Sequence, residues 1–267
     1  MNTPYPLIVA SSLFMVLYIV LVLFPDLNIA LFYAINKLAG SADAIVWLNI
    51  THLGDGLLLA CLAIILLSKN RSHLAAAMIS SLLLAIVMQI IKRQLQVDRP
   101  PFALDTSLFY LLITDLKPTD FALPSGHTAG AFALATMAWA THQKRSLCIA
   151  AFGIATIVAI SRIIVGVHWP TDIALGAVTG MVSILILFAF LPHRLKNMGV
   201  ISVSVLYLFC ATCAVILLFQ GTRLSEYTSI TIVNGFIGTI TLITVLKGAY
   251  TYFKARYQAN VLDINNS

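Results

Sequence analysis

Ser161-Arg162-Ile163-Ile164-Val165-Gly166-Val167-His168-Trp169-Pro170-Thr171-Asp172 is the stretch on which the fold of this chain turns. It joins two apolar runs, Ser146 to Val165 and Trp169 to Leu191, each close to the roughly 20 residues that carry a helix across a bilayer. Arg162 therefore closes one membrane helix and Asp172 opens the next. Ionisable side chains at such places are costly and mark functional sites by default. Pro170 suits the first turn of the second helix, which sets His168 just ahead of that helix and Asp172 inside its opening turn.

The rest of the chain has the same texture. Of its 267 residues 60% are hydrophobic and 10% charged, where a soluble domain carries about 25% charged residues. The fold class is all-α, a polytopic membrane helix bundle. Further candidate spans are Leu7 to Phe24, Ala44 to Ser68, His73 to Ile91, Gly126 to Ala140, Val200 to Gln220 and Ser229 to Val245, which makes eight with the two above. The Gly126 span is short. Leu27 to Ala39 is shorter still and broken by Asn28, Asn36 and Lys37, so it is expected at the surface or as a re-entrant segment. No basic residue precedes the first run and no small-residue cleavage pattern follows it, which favours a spanning helix over a removable signal peptide. The expected organisation is a six-helix core over residues 1–198, with a C-terminal pair of transmembrane helices and a tail over 199–267.

The net charge of +6 does not point to nucleic acid, because the basic residues fall between apolar runs and form no aromatic-rich basic face. Cys61, Cys148, Cys210 and Cys213 all lie inside apolar runs and read as buried packing residues. Loop charges separate by side instead. Lys69, Arg71, Lys144, Arg145, Arg194, Lys196, Lys247, Lys254 and Arg256 share one side with Asp263. Lys37, Lys92, Arg93, Arg99, Lys117, Arg162 and Arg223 share the other with all the remaining acids, Glu226 among them. Lys and Arg accumulate on the cytoplasmic face, so both termini are expected inside. The functional residues are then expected on the outer face of the membrane.

On that outer side two more clusters join the first: Lys92 with Arg99-Pro100, and Pro124-Ser125-Gly126-His127. Lys92 ends one span, Ser125 opens another, and four helix ends meet at one depth. Lys92, Arg99 and Arg162 supply three cations, as a site neutralising phosphate oxygens requires, although each cation alone also fits an interfacial anchor or a helix-dipole partner. Ser125 fits a helix N-cap, and Gly126 leaves amide groups open to an anion; the same residues also make an ordinary turn. If Asp172 accepts one imidazole N–H of His168, the other nitrogen is free to attack phosphorus. His127 is then placed to protonate the leaving oxygen and later to activate water. No metal is required, and no carboxylate cluster offers a magnesium site. Gly176 and Gly180 form a small-xxx-small face for close helix packing.

Lys92 to Pro100, Pro124 to His127 and Ser161 to Asp172 resemble, in order and without departure, the three motifs of the type 2 phosphatidic acid phosphatase superfamily. The resemblance implies a phosphohistidine mechanism. His168 is then the nucleophile, Asp172 its partner and His127 the general acid and base, with Lys92, Arg99, Ser125, Gly126 and Arg162 around the phosphate and no cofactor or metal. It implies a membrane lipid phosphate as substrate, of the phosphatidic acid, phosphatidylglycerophosphate, undecaprenyl diphosphate or lipid A phosphate type. Two other readings use the same residues differently. A phosphotransferase would pass the phosphoryl group from His168 to a second lipid. A transporter would bind the lipid without chemistry, but its polar groups belong near the midplane on repeated broken helices, where this chain offers only Asn234-Gly235.

Overall fold

The computed structural model describes residues 4–142, 144–219 and 227–265, and every regular element among them is helical. The order is α1 (Tyr5–Leu23), α2 (Pro25–Asn36), α3 (Ala44–His52), α4 (Gly56–Leu67), α5 (Arg71–Leu95), α6 (Pro100–Ala103), α7 (Gly126–Thr141), α8 (Arg145–Ile164), α9 (Pro170–Arg194), α10 (Val200–Phe219) and α11 (Thr228–Asn265). The loop residues Arg223 and Glu226, and Gln220 at the end of the seventh expected span, lie outside the described residues.

Local chemistry sets most of the starts. Asp43, Asp55, Asn70 and Ser125 cap α3, α4, α5 and α7, each side chain accepting from amides of the first turn, which satisfies donors that a helix leaves unpaired. Proline opens α1, α2, α6 and α9, where its fixed φ and missing N–H cost nothing.

Six helices are long and apolar enough to cross a membrane, namely α1, α5, α8, α9, α10 and α11, or seven if the bent pair of α2 and α3 counts as one span. The expected eight are corrected in two places. Ala44 to Ser68 is not one helix: Leu53, Gly54 and Asp55 interrupt it, because the Asp55 carboxylate takes the amides of Leu57 and Leu58 and starts a new helix there. The Gly126 span is a helix of 16 residues, about 24 Å long, which falls short of the hydrocarbon thickness of roughly 30 Å. Leu27 to Ala39 is helical, and α2 with its 3₁₀ end turns 116° into α3, as a re-entrant segment would.

α7 and α9 form the centre. On one side of them α1, α2 and α8 build a core around Phe32, Phe132 and Met181; on the other α4, α5, α10 and α11 build a second around Ile64, Leu74 and Leu217. The two central helices touch through glycine. A Cβ on Gly176 would stand 2.8 Å from the Ser125 carbonyl oxygen, and one on Gly180 would run into the backbone of Ala129. The small-residue face thus brings the opening turn of α9 against that of α7.

Gly180→Val should destabilise the protein by about 1–3 kcal/mol, the usual cost of forcing extra volume into a packed interior. Gly153→Ala, where an added Cβ meets nothing within 4 Å, should leave stability unchanged or raise it by up to about 1 kcal/mol through helix propensity. Thermal unfolding of the purified variants in detergent measures both.

Candidate active site

Four helix ends and two loops converge. Asp172, fully buried in the first turn of α9, accepts through Oδ2 from His168 Nδ1 at 3.0 Å and from the Trp169 amide at 2.8 Å. Its main-chain carbonyl accepts from the Ser125 amide at 3.0 Å. One residue therefore fixes the histidine of the α8–α9 loop and the N-cap of α7. Ser125 is itself buried, and its Oγ accepts from the Thr128 hydroxyl at 3.0 Å. Gly126 beside it is exposed, with nothing within 4 Å of a hypothetical Cβ, so the first amides of α7 are open to a ligand.

The cations surround this pair. Arg99 Nη1 lies 3.2 Å from His168 Nε2 and donates to the Val167 carbonyl at 3.0 Å, while its Nε donates to the Asp120 carbonyl. Guanidinium has donors and no acceptor. Nε2 must then present its lone pair, which puts the ring proton on Nδ1, facing Asp172. Lys92 Nζ donates to the carbonyls of Phe121 and Ala122 at 2.5 and 3.1 Å. These bonds draw the strand of chain before the Ser125 turn over the site. Arg162, 6% exposed, donates from Nη1 to Thr51 Oγ1 at 2.6 Å. Its Nε is buried with no hydrogen-bond partner, as is Asp172 Oδ1; a buried donor left open in this way suits an anionic ligand.

His127 makes no hydrogen bond among the described residues. It lies within charge-interaction range of Arg162, Arg99 and Lys92, and also of His168. It lines a cavity of about 390 Å³ between α4, α5 and α7, which has Lys92, Gln89 and Gly126 in its wall together with the apolar Leu59, Ala63, Leu84 and Met137. A second cavity of about 400 Å³ opens on the other side of Lys92, past Arg99, Thr119 and Asp120. The site thus stands between a polar opening and an apolar slot. All eight residues singled out in the sequence, Lys92, Arg99, Ser125, Gly126, His127, Arg162, His168 and Asp172, lie at this junction. Among the described residues, no three His, Cys, Asp or Glu side chains gather as a metal site would need.

Residues 72–196 match the sequence model of the PAP2 superfamily. This part of the chain belongs to the PAP2 superfamily. It is similar to an undecaprenyl-diphosphatase of Sulfolobus acidocaldarius, 29% identical over 118 residues, which is 44% of this chain and 55% of that protein. It is also similar to a lipid A 1-phosphatase of Porphyromonas gingivalis, 42% identical over 60 residues, 22% of this chain and 14% of that protein. The chain spans about half of the first of these curated relatives and much less of the second. Among solved structures, LpxE of Aquifex aeolicus superposes with a TM-score of 0.54 at 26% identity, over 61% of this chain and 96% of that one. A transmembrane PAP2-type phosphatidylglycerolphosphate phosphatase from Bacillus subtilis superposes with a TM-score of 0.55 at 23% identity, over 74% and 100%, and shares the fold.

Residues outside the PAP2 unit hold its parts in place, and sequence reading passed them over. Asn36, 1% exposed, donates to the carbonyls of Ile163 and Ile164 at the end of α8 and to Tyr110, and accepts the Tyr110 amide. Asn28 accepts the Thr171 amide at 3.1 Å. Phe32 packs on Trp169, whose Nε1 donates to the Asp98 carbonyl at 2.8 Å. The broken helix matters too. Thr51 holds Arg162, the neighbouring His52 pairs with Asn234 of α11 at 2.7 Å, and a Cβ on Gly54 would stand 2.8 Å from His127 Cβ. The only signal for these residues is polarity inside apolar runs: Asn28 and Asn36 break theirs, and Asn234 with Gly235 is the polar feature of the last span.

His168 is 2% exposed. Burial, and after it Arg99, Arg162, Lys92 and His127, push its imidazole well below the ordinary 6.5. The unfolded ring takes up a proton below about 6.5 and the folded one does not, so this residue's contribution to stability is full above that pH and falls as pH drops through it. In nitrogen-15 spectra of histidine-labelled protein, His168 should stay neutral and protonated at Nδ1 at pH 6. A histidinium signal assigned to His168 at that pH would contradict the arrangement.

Proposed function

We propose that this chain is a membrane lipid phosphatase that hydrolyses a lipid phosphate monoester or diphosphate through a phosphohistidine at His168, without a metal ion. The observation that carries the reading is the pair of contacts on one imidazole: Asp172 on Nδ1, and an arginine donor where the phosphoryl group would arrive on Nε2. The neighbouring apolar slot supports a lipid in preference to a water-soluble ester, because Lys92 and His127 share its wall with Leu59, Leu84, Met88 and Met137.

Arg99, Arg162 and Lys92, with the first amides of α7, bind the nonbridging oxygens and stabilise the charge that grows on them in the transition state. Arg162 Nε supplies a donor that burial otherwise leaves unsatisfied. His168 Nε2 attacks phosphorus, the bond from phosphorus to the leaving oxygen breaks, and His127 gives that oxygen a proton. His168 attacks best as the neutral imidazole, since a cationic ring has no lone pair to offer. In the second half His127 takes a proton from water, the hydroxide displaces His168 from phosphorus, and inorganic phosphate leaves. Ser125 holds the α7 turn in register through Thr128 and Asp172. The catalytic unit is the helical core of residues 1–198, and 199–267 forms the added helix pair.

The relatives' names span a prenyl diphosphate, a lipid A phosphate and a phosphatidylglycerol phosphate, and the substrate proposed here is of that chemical class. The segregation of loop charge supports a site on the outer face, and the relatives from Porphyromonas, Aquifex and Bacillus support a bacterial inner membrane, which makes that face the periplasmic one.

Purified protein in neutral detergent with a chelator should release phosphate from at least one of these lipid phosphates with no acceptor lipid added, and vanadate should inhibit. Release only in the presence of an acceptor would replace the hydrolase with a phosphotransferase. His168→Ala should abolish turnover and any acid-labile phosphoenzyme. His127→Ala should lower monoester cleavage on the order of 10²–10⁴-fold and diphosphate cleavage by less, because a phosphate leaving group needs less protonation; equal losses would remove His127 from the acid role.

A further inference from the structure

At the end of the bundle remote from His168 a second hollow of about 770 Å³ is lined by Lys69, Arg71, Lys196, Lys247, Tyr207 and Tyr252, among others. Arg71 and Lys92 lie at opposite ends of α5, separated by roughly 32 Å at 1.5 Å per residue, so this hollow has no part in the site described above. Loop charges that only orient a membrane protein need to lie near helix ends and no more. Here the cations come from three separate parts of the chain, the α4–α5 connection, the end of α9 and the middle of α11, and they face one space. No Asp or Glu stands among its described lining residues.

Two features fix the kind of ligand. Arg71 is held in the hollow, with its guanidinium 4.5 Å from the centre of the Tyr252 ring and in interaction with Tyr207, while Lys69, Lys196 and Lys247 are exposed to an incoming anion. Next to the hollow, an apolar groove of about 520 Å³ runs between α5 and α10, lined by Ala75, Ile79, Leu82, Leu195, Val205 and Phe209. The two spaces share a border in the chain itself. Leu195 faces the groove and Lys196 the hollow, and Leu206 and Tyr207 divide in the same way. Cations beside an acyl-sized groove, at the end of a membrane helix bundle, match a phosphodiester headgroup with its chain.

We infer that this hollow and groove bind an anionic phospholipid, the headgroup on Arg71, Lys196 and Lys247 and one acyl chain between α5 and α10. α10 and α11 complete this site against α5 and the end of α9, which gives the C-terminal helix pair a task separate from the chemistry.

The test uses full-length protein in neutral detergent. Thermal unfolding is followed with short-chain phosphatidylglycerol, with short-chain phosphatidylcholine or with inorganic phosphate, in the native protein and in Lys196→Gln/Lys247→Gln. Both lysines are exposed, so the variant should fold. Phosphatidylglycerol should raise the unfolding midpoint of the native protein more than phosphatidylcholine does. Its apparent affinity should fall on the order of tenfold or more in the double variant, since each lysine near an anionic headgroup contributes about 1 kcal/mol. Phosphate or lipid bound at the catalytic centre is unaffected by this variant, so a phosphatidylglycerol response equal in both proteins would overturn the inference. Equal responses to the two lipids would do the same. A lysine-dependent response to inorganic phosphate that matches phosphatidylglycerol would leave a site for a free anion and overturn the lipid assignment. The readout is binding, and it stands whether or not the protein hydrolyses lipid phosphates.

Discussion

Asp172 is the residue on which the arrangement rests. It is buried without exposure, and a carboxylate in such a place depends on the hydrogen bonds it receives. Oδ2 serves His168 and the Trp169 amide, and the main-chain carbonyl of the same residue serves Ser125. The opening turn of α9 thereby binds both other parts of the site, the α8–α9 loop and the start of α7. Such contact needs the two helices to lie unusually close, and Gly176 against the Ser125 carbonyl is what permits it. Packing and chemistry are joined at this point, since any side chain at Gly176 would push Ser125, and with it the Gly126 amide, away from Asp172.

The cations obey a second constraint. Arginine and lysine near the hydrocarbon layer must find acceptors, and in this protein Lys92 and Arg99 find main-chain carbonyls: Phe121 and Ala122 for the one, Asp120 and Val167 for the other. Carbonyls carry no full charge, so these contacts orient the cations and add no negative charge of their own. Arg162 is held by the Thr51 hydroxyl, also uncharged. The three cations face an incoming anion, and burial first, then these charges, hold His168 neutral.

Support for the site comes from helices that the PAP2 unit does not include. α2 braces the α8–α9 loop through Asn28, Phe32 and Asn36, and α3 supplies Thr51. α11 reaches the same region through the His52–Asn234 pair, and from Ser229 to Asn49 at 2.9 Å. The C-terminal pair is therefore tied to the catalytic end of the bundle as well as lining the basic hollow at the other end.

The residue types by themselves determined that the chain is helical and apolar, where α5, α8, α9 and α10 lie to within a few residues, and which eight side chains gather. Length and hydropathy suffice for spans, since a bilayer leaves the backbone few options, and three spaced motifs suffice for the eight. Two things were decided only by the folded chain. Ala44 to Ser68 satisfies every composition rule for one span, yet the Asp55 cap and the fit of Gly54 against His127 break it, because capping and close approach depend on what stands opposite. Asn36, Thr51 and Asn234 are polar residues in apolar sequence, and they are the partners of carbonyls, a guanidinium and an imidazole far away in the chain. A buried polar residue is defined by the group it satisfies, and that group is named only when the helices have packed.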